Sequence, residues 1–166
     1  MEPVHYVRKI IGFDTFEGFP DVSEKDTANS DLAYPDQHQR GGYSANSYDD
    51  LKESIRLYDM NRALGHISKV ELVRGDIRET LPKYIQENSH LVVALLYLDL
   101  DLYEPTLAAL KFLLPRIPRG GVVVFDELND KAWPGETMAV LDSVGIRNLR
   151  LRRFPFDSKI CYAVVE

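Results

Sequence analysis

An α/β fold with a largely parallel sheet is predicted by two features of this 166-residue chain: strand-length apolar runs alternate with helical patterns, and two of those runs are apolar almost without interruption. The continuous runs, "LVVALLYL" (Leu91 to Leu98) and "GVVVF" (Gly121 to Phe125), suit strands covered on both faces. Between them "EPTLAALKFLL" carries Pro105 at a helix-opening position and spaces Leu107, Leu110 and Leu114 by three and four residues. Strand, helix and strand then make a βαβ unit.

The remaining elements follow from the same periodicities. "KIIGF" (Lys9 to Phe13) is the first strand. Pro20 to Ser47 is polar, contains Gly41-Gly42 and has no clear period, which predicts a long loop of the kind that forms lids and binding loops. A helix begins after Asp49 or Asp50, carries Leu51, Ile55 and Tyr58 on one face and stops near Gly65. "KVELV" (Lys69 to Val73) is a strand, and "RETLPKYIQ" is a short helix carrying Leu81, Tyr84 and Ile85. "RNLRLRRFPF" and "KICYAVVE" pair as an antiparallel hairpin turning at Asp157-Ser158. There is no internal repeat and no low-complexity tract, so residues 1–166 are read as one domain.

Composition removes several function classes. A formal charge of -6 and no dense Lys/Arg run argue against nucleic acid as a partner. No apolar run approaches the roughly 20 residues that cross a bilayer, and the start, "MEPVHYVRK", has no signal-like apolar region, so no membrane partner and a cytoplasmic location are expected. The single cysteine, Cys161, excludes an intrachain disulfide, fits a reducing compartment and is expected in the core. His5, His38, His66 and His90 show no metal-ligand spacing and read as surface or loop residues, with His38 in the long loop within reach of a substrate. No Gly-x-Ser-x-Gly elbow and no phosphate-binding loop is present.

The chemistry collects at the strand ends, where open α/β sheets bind ligands. Asp14 follows "IIGF", Asp76 follows "VELVRG", Asp99 and Asp101 follow "LLYL", and Asp126-Glu127 follows "VVVF". In parallel strands these acids share one edge of the sheet. If the strand continues through Leu100, Asp99 and Asp101 also project to the same side. Two carboxylates about 4 Å apart repel by about 4 kcal/mol at an effective dielectric near 20, so the edge calls for protonation or a hard cation such as Mg²⁺ or Ca²⁺.

Five stretches in order, "FDTFEGFPD" (Phe13 to Asp21), "VRGDIRETLP" (Val73 to Pro82), "LDLDLYEPT" (Leu98 to Thr106), "GGVVVFDEL" (Gly120 to Leu128) and "WPGE" (Trp133 to Glu136), resemble the macrocin O-methyltransferase family. The resemblance runs from about Ile10 to the C-terminus. It implies a Rossmann-like class I methyltransferase fold with a C-terminal antiparallel hairpin, and an S-adenosylmethionine-dependent, metal-dependent O-methyltransferase acting on a sugar or a natural-product glycoside. A homo-oligomer is compatible with it. By the same resemblance Asp14, with Thr15 and Phe16, would hold the cofactor ribose, and Asp76 would meet the adenine amino group with Ile77 packed on the ring. Asp99, Asp126 and Glu127 would ligate the metal, with Asp99 also at the cofactor site and Asp101 as general base. Asp14 and Asp76 equally suit turn and capping roles, and Glu127 stands where the family more often has aspartate. Glu136 is expected to be a solvated acid at a helix start.

The resemblance also implies something missing. A class I methyltransferase begins with a strand and a glycine-rich turn, and nothing upstream of Ile10 supplies one, so the chain is expected to be N-terminally truncated. The missing strand belongs between the strands ending at Asp14 and Asp99, and its loss leaves unpaired backbone groups and an uncovered core. Two other readings stand beside the methyltransferase: a non-catalytic remnant serving as a structural or interaction domain, and a Mg²⁺-dependent phosphohydrolase using Asp99-x-Asp101.

Overall fold

The computed structural model describes residues 7–27, 34–157 and 159–166. Along the chain run β1 (Ile10–Asp14), α1 (Glu24–Thr27), α2 (Tyr48–Met60), β2 (Val70–Arg74), α3 (Ile77–Glu87), β3 (Leu95–Leu98), α4 (Tyr103–Leu113), β4 (Val122–Phe125), α5 (Gly135–Ser143), β5 (Arg152–Arg153) and β6 (Cys161–Val164). The predicted alternation holds, and the βαβ unit is present as β3, α4 and β4, with β3 and β4 parallel. The C-terminal hairpin is antiparallel, Arg152 opposite Tyr162. Its predicted turn includes Ser158, which lies outside the described residues, as do His5 and residues 28–33 of the long loop.

The sheet is in two parts. β1 pairs with β2 in parallel, from Ile10 opposite Val70 to Asp14 opposite Arg74. The other part has the order β3-β4-β6-β5. Among the described residues β1 and β3 each have one hydrogen-bonded neighbour and do not pair with each other. They nevertheless share a core, since Phe13 of β1 packs against the cluster that holds Leu96, Leu98, Ile77 and Leu81.

One face of the sheet is covered throughout and the other only in part, Val124 at 8% exposure lying beside exposed Tyr97. Leu96, Leu98, Val123, Phe125, Cys161 and Ala163 are no more than 7% exposed, beneath a layer that includes Leu81 of α3, Leu110 of α4 and Val140 of α5. Cys161 is therefore core, as expected. Strand alternation turns the neighbouring residues to the opposite face. There Leu95 is 60%, Tyr97 49% and Val164 37% exposed. The expectation that the Leu91–Leu98 run is covered on both sides fails for this reason.

That run also makes a shorter strand than predicted. Ahead of Leu95 the chain serves as a connector: Val93 donates to the Arg116 carbonyl and Val92 is 68% exposed. The stripe on α2 is corrected too. Tyr48 and Ile55 line a shallow groove with Val70 and Leu72 of β2, but α2 has no buried residue, and Leu51 and Tyr58 are exposed. An amphipathic helix buries its stripe only if enough surface lies opposite, and the two-stranded β1-β2 sheet is too narrow to supply it. Among the described residues no helix is long and apolar enough to cross a membrane.

Candidate active site at the acidic sheet edge

β3 stops at Leu98, so Asp99 and Asp101 are not related by strand alternation as predicted. Asp101 instead takes a left-handed backbone conformation, φ 57°, uncommon for a residue with a Cβ. The turn tightens around it, the Leu102 N–H donating to the Leu100 carbonyl at 2.5 Å, and the chain then enters α4 at Tyr103. The reversal carries the Asp101 carboxyl in among Glu127, Asp99 and Glu136. Its pKa is pushed up to about 8, first by burial, then by a hydrogen bond with Glu127 and by the charges of Glu127, Asp99 and Glu136. A backbone held in a sparsely populated region next to a cluster of acids is the kind of strain found at functional sites.

Burial first, and then the charges of Asp126, Glu127 and Asp14, hold Asp99 above the usual carboxylate range. The Asp14 charge thus acts on Asp99 although the sheet is divided, whereas Asp76 acts on none of these acids and is engaged by Arg78. Asp126 accepts a 2.5 Å hydrogen bond from the Tyr97 hydroxyl, which with burial pushes that hydroxyl up to about 12. Glu127 Oε1 lies 3.4 Å from Lys159 Nζ, while Oε2 is buried and meets no donor among the described residues. Lys159 also pairs with Asp130 at 2.7 Å.

Glu136 contradicts the expectation of a solvated acid. It is 1% exposed, and one of its oxygens accepts the Glu127 N–H at 3.2 Å. Burial pushes it up to about 8, opposed by that backbone hydrogen bond and reinforced by the charges of Glu127, Asp126 and Asp99. The packing of α5 against α4 buries the helix start that the sequence alone leaves in solvent.

At β1 the geometry is that of a tight turn. Asp14 Oδ1 accepts the Phe16 N–H at 2.6 Å, and the Thr15 hydroxyl donates to the Gly18 carbonyl at 2.6 Å. Phe16, with φ 58°, is buried and sets its ring edge-on to Tyr48. Asp76 caps α3, accepting the Arg78 N–H at 2.9 Å and pairing with its guanidinium at 2.5 Å. Burial raises the Asp76 carboxyl, and the bonds and charge of Arg78 more than reverse it. Ile77 packs into the core at 8% exposure.

The long loop reaches this edge. The charges of Asp101 and Glu127 both act on Tyr43, whose hydroxyl is raised chiefly by burial. His38 stacks on Trp133 with ring centres 3.7 Å apart, flanked by Phe19 against the same indole. Asp26 is a residue the sequence reading passed over. It is 1% exposed, accepts the Ser23 N–H and hydroxyl, and takes the Tyr103 N–H at 2.6 Å, tying the loop to the start of α4. The spacing Ser23-x-x-Asp26 is a capping-box signal that was available in the sequence.

Among the described residues no three His, Cys, Asp or Glu side chains are gathered closely enough to hold a metal ion. The donor chemistry nonetheless fits a hard divalent cation: all the groups are carboxylates, the charges of Asp126 and Glu127 both raise Asp99, and a buried Glu127 oxygen meets no donor among the described residues.

Comparison with known proteins places the chain. Residues 4–149 match the family description Macrocin-O-methyltransferase (TylF). Demethyldecarbamoylnovobiocin O-methyltransferase of Streptomyces niveus is 31% identical over 115 residues, which are 69% of this chain and 39% of that protein. The crystal structure of CalS11, calicheamicin methyltransferase, superposes with a TM-score of 0.89 at 38% identity, over 98% of this chain and 62% of that one. An apo structure described as CalS11, TDP-rhamnose 3'-O-methyltransferase of calicheamicin biosynthesis, gives 0.77 at 37% identity, over 98% and 61%. This chain thus spans about two fifths of the curated relative and under two thirds of the solved ones. With the expected methyltransferase-type α/β fold and a family match over most of its length, the chain belongs to the macrocin O-methyltransferase family.

Proposed function

We propose that the chain carries the acceptor-activating part of an S-adenosylmethionine-dependent, divalent-metal-dependent O-methyltransferase acting on a sugar hydroxyl. The observation that carries this reading is Asp101, turned by its left-handed backbone into a group of acids at the carboxyl ends of parallel strands. S-adenosylmethionine supplies an electrophilic methyl group on a sulfonium sulfur. Asp101 would accept the proton of the acceptor hydroxyl as that oxygen attacks the methyl group, the electron pair of the broken carbon–sulfur bond remaining with the leaving thioether. A base whose pKa is raised toward the working pH suits that transfer.

Asp14 with Thr15 and Phe16 would hold the ribose, and Asp76 with Ile77 the adenine, which requires Arg78 to share Asp76. Mg²⁺ or Ca²⁺ on Asp99, Asp126 and Glu127 would orient the acceptor hydroxyls and lower their pKa. Asp99 would thus stand between the metal and the cofactor. TDP-rhamnose, named for the calicheamicin relative, is the acceptor to try first. The lone buried Cys161 supports a cytoplasmic setting. Membership of a methyltransferase family favours this chemistry over the phosphohydrolase reading. The remnant reading keeps one observation in its favour, the partly bare sheet face.

The test is S-adenosylhomocysteine release with TDP-rhamnose and Mg²⁺, alongside calorimetry with S-adenosylmethionine. Asp101→Asn should lower kcat by about 10²-fold to 10⁴-fold while leaving S-adenosylmethionine affinity unchanged. Wild-type protein that neither binds S-adenosylmethionine nor turns over would favour the remnant. Turnover by Asp99→Ala in the presence of a chelator would sink the metal assignment.

A further inference from the structure

We propose that Asp26 is a positioning residue for Asp101: from the long loop it fixes the left-handed turn that aims the Asp101 carboxyl at the other acids. Its catalytic meaning rests on the general-base reading of Asp101, whereas the placement is read from conformation alone. The Leu102 N–H bonded to the Leu100 carbonyl closes a three-residue turn centred on Asp101, and at φ 57° this turn has the rare, strained hand. Such a backbone persists where the surroundings over-determine it. The next amide, the Tyr103 N–H, is buried, and Leu102 offers it no side-chain cap. Asp26 Oδ1 accepts that N–H at 2.6 Å, from 77 residues away in sequence.

The carboxyl of Asp26 is itself held in place. Its other oxygen accepts the Ser23 N–H at 2.8 Å and the Ser23 hydroxyl at 2.6 Å. A Cβ on Gly135, at the start of α5, would lie 2.6 Å from the Tyr103 nitrogen and 2.7 Å from the Asp101 carbonyl oxygen, and would overlap Asp26 Oδ1. Loop, turn and α5 therefore meet where only glycine leaves room. α1 grips the Tyr103 side chain as well: Lys25 Nζ lies 3.8 Å from the ring centre and 2.5 Å from Asp142, which accepts the Tyr103 hydroxyl at 3.0 Å. The residue after the turn is thus held at its amide, its ring and its hydroxyl. Asp101 is aimed only while this part of the long loop is docked.

The experiment is NMR on the isotope-labelled 166-residue protein, with circular dichroism and the β4 amide shifts checking the fold of each variant. In the wild type the carbon shifts and the HN–Hα coupling of Asp101 should report its left-handed φ. The Tyr103 amide, in a short hydrogen bond, should lie far downfield and exchange slowly. Asp26→Ala should erase the Asp101 signature and speed Tyr103 exchange about tenfold or more, whereas Asp26→Asn keeps an oxygen for the Tyr103 N–H and should retain both. Gly135→Ala, which crowds Asp26 out without altering it, should resemble Asp26→Ala. An Asp101 signature that survives in folded Asp26→Ala would overturn the proposal, and so would an ordinary, fast-exchanging Tyr103 amide in the wild type, a result that needs no variant to fold. In turnover Asp26→Ala should lower kcat about 10²-fold with S-adenosylmethionine affinity unchanged. A wild type without turnover counts against the base assignment and leaves the conformational result standing.

Discussion

The two faces of the β3-β4-β6 sheet are made by the same strands and are both apolar, yet one is buried throughout and the other only at Val124. Leu96, Leu98, Val123 and Phe125 are 7% exposed or less, while their neighbours Leu95 and Tyr97 are 60% and 49% exposed. α3, α4 and α5 account for the difference. The apolar residues of a strand state what the face requires, and whether the requirement is met depends on what lies opposite. A fully buried Leu or Phe contributes about 1.5–3 kcal/mol, so the covered face carries the stability of this chain and the partly bare face holds an unrealised contribution of the same kind.

Substitutions on the two faces should separate accordingly. Phe125→Ala, at 0% exposure, should destabilise by about 3–5 kcal/mol in denaturant unfolding. A loss under about 1 kcal/mol would mean that the covered face is loosely packed as well. The acids behind it give a pH signature. Asp101 and Glu136 are raised to about 8 from 3.8 and 4.5. Between those limits the folded protein retains protons that the unfolded chain releases, so stability falls as pH rises from 5 to 8. Thermal midpoints should drop over that range, and Glu136→Gln should flatten the drop; a rising or flat wild-type profile would show that the two acids are ionised in the fold.

At the rim of the covered face Asp76→Ala removes the cap of α3 and should cost about 1 kcal/mol. The smallest effect belongs to the partly bare face. Leu95→Ala should change unfolding of the isolated chain by less than about 0.5 kcal/mol. A larger loss would show that Leu95 is packed in solution.

The sequence made the element types and the acidic edge legible, because both depend on local pattern. Runs such as Val122–Phe125, the α4 spacing around Leu110 and the acids directly after strands need no tertiary information. The structure divides the sheet into β1-β2 and β3-β4-β6-β5, a division that depends on pairing between distant segments. What escaped depends on neighbours distant in sequence. Leu98 ends β3 because the next residues turn into a left-handed Asp101, which no periodicity signals. Glu136 reads as a solvated acid until α5, which carries it, packs against α4, and Leu51 and Tyr58 on α2 read as buried although little lies opposite.

Hydrogen exchange measured strand by strand tests the contrast most directly. β4, paired on both sides and covered by helices, should hold its amides for the longest times. The amides on the unpaired edges of β1 and β3 should exchange orders of magnitude faster. Unpaired-edge amides as slow as those of β4 would contradict the account.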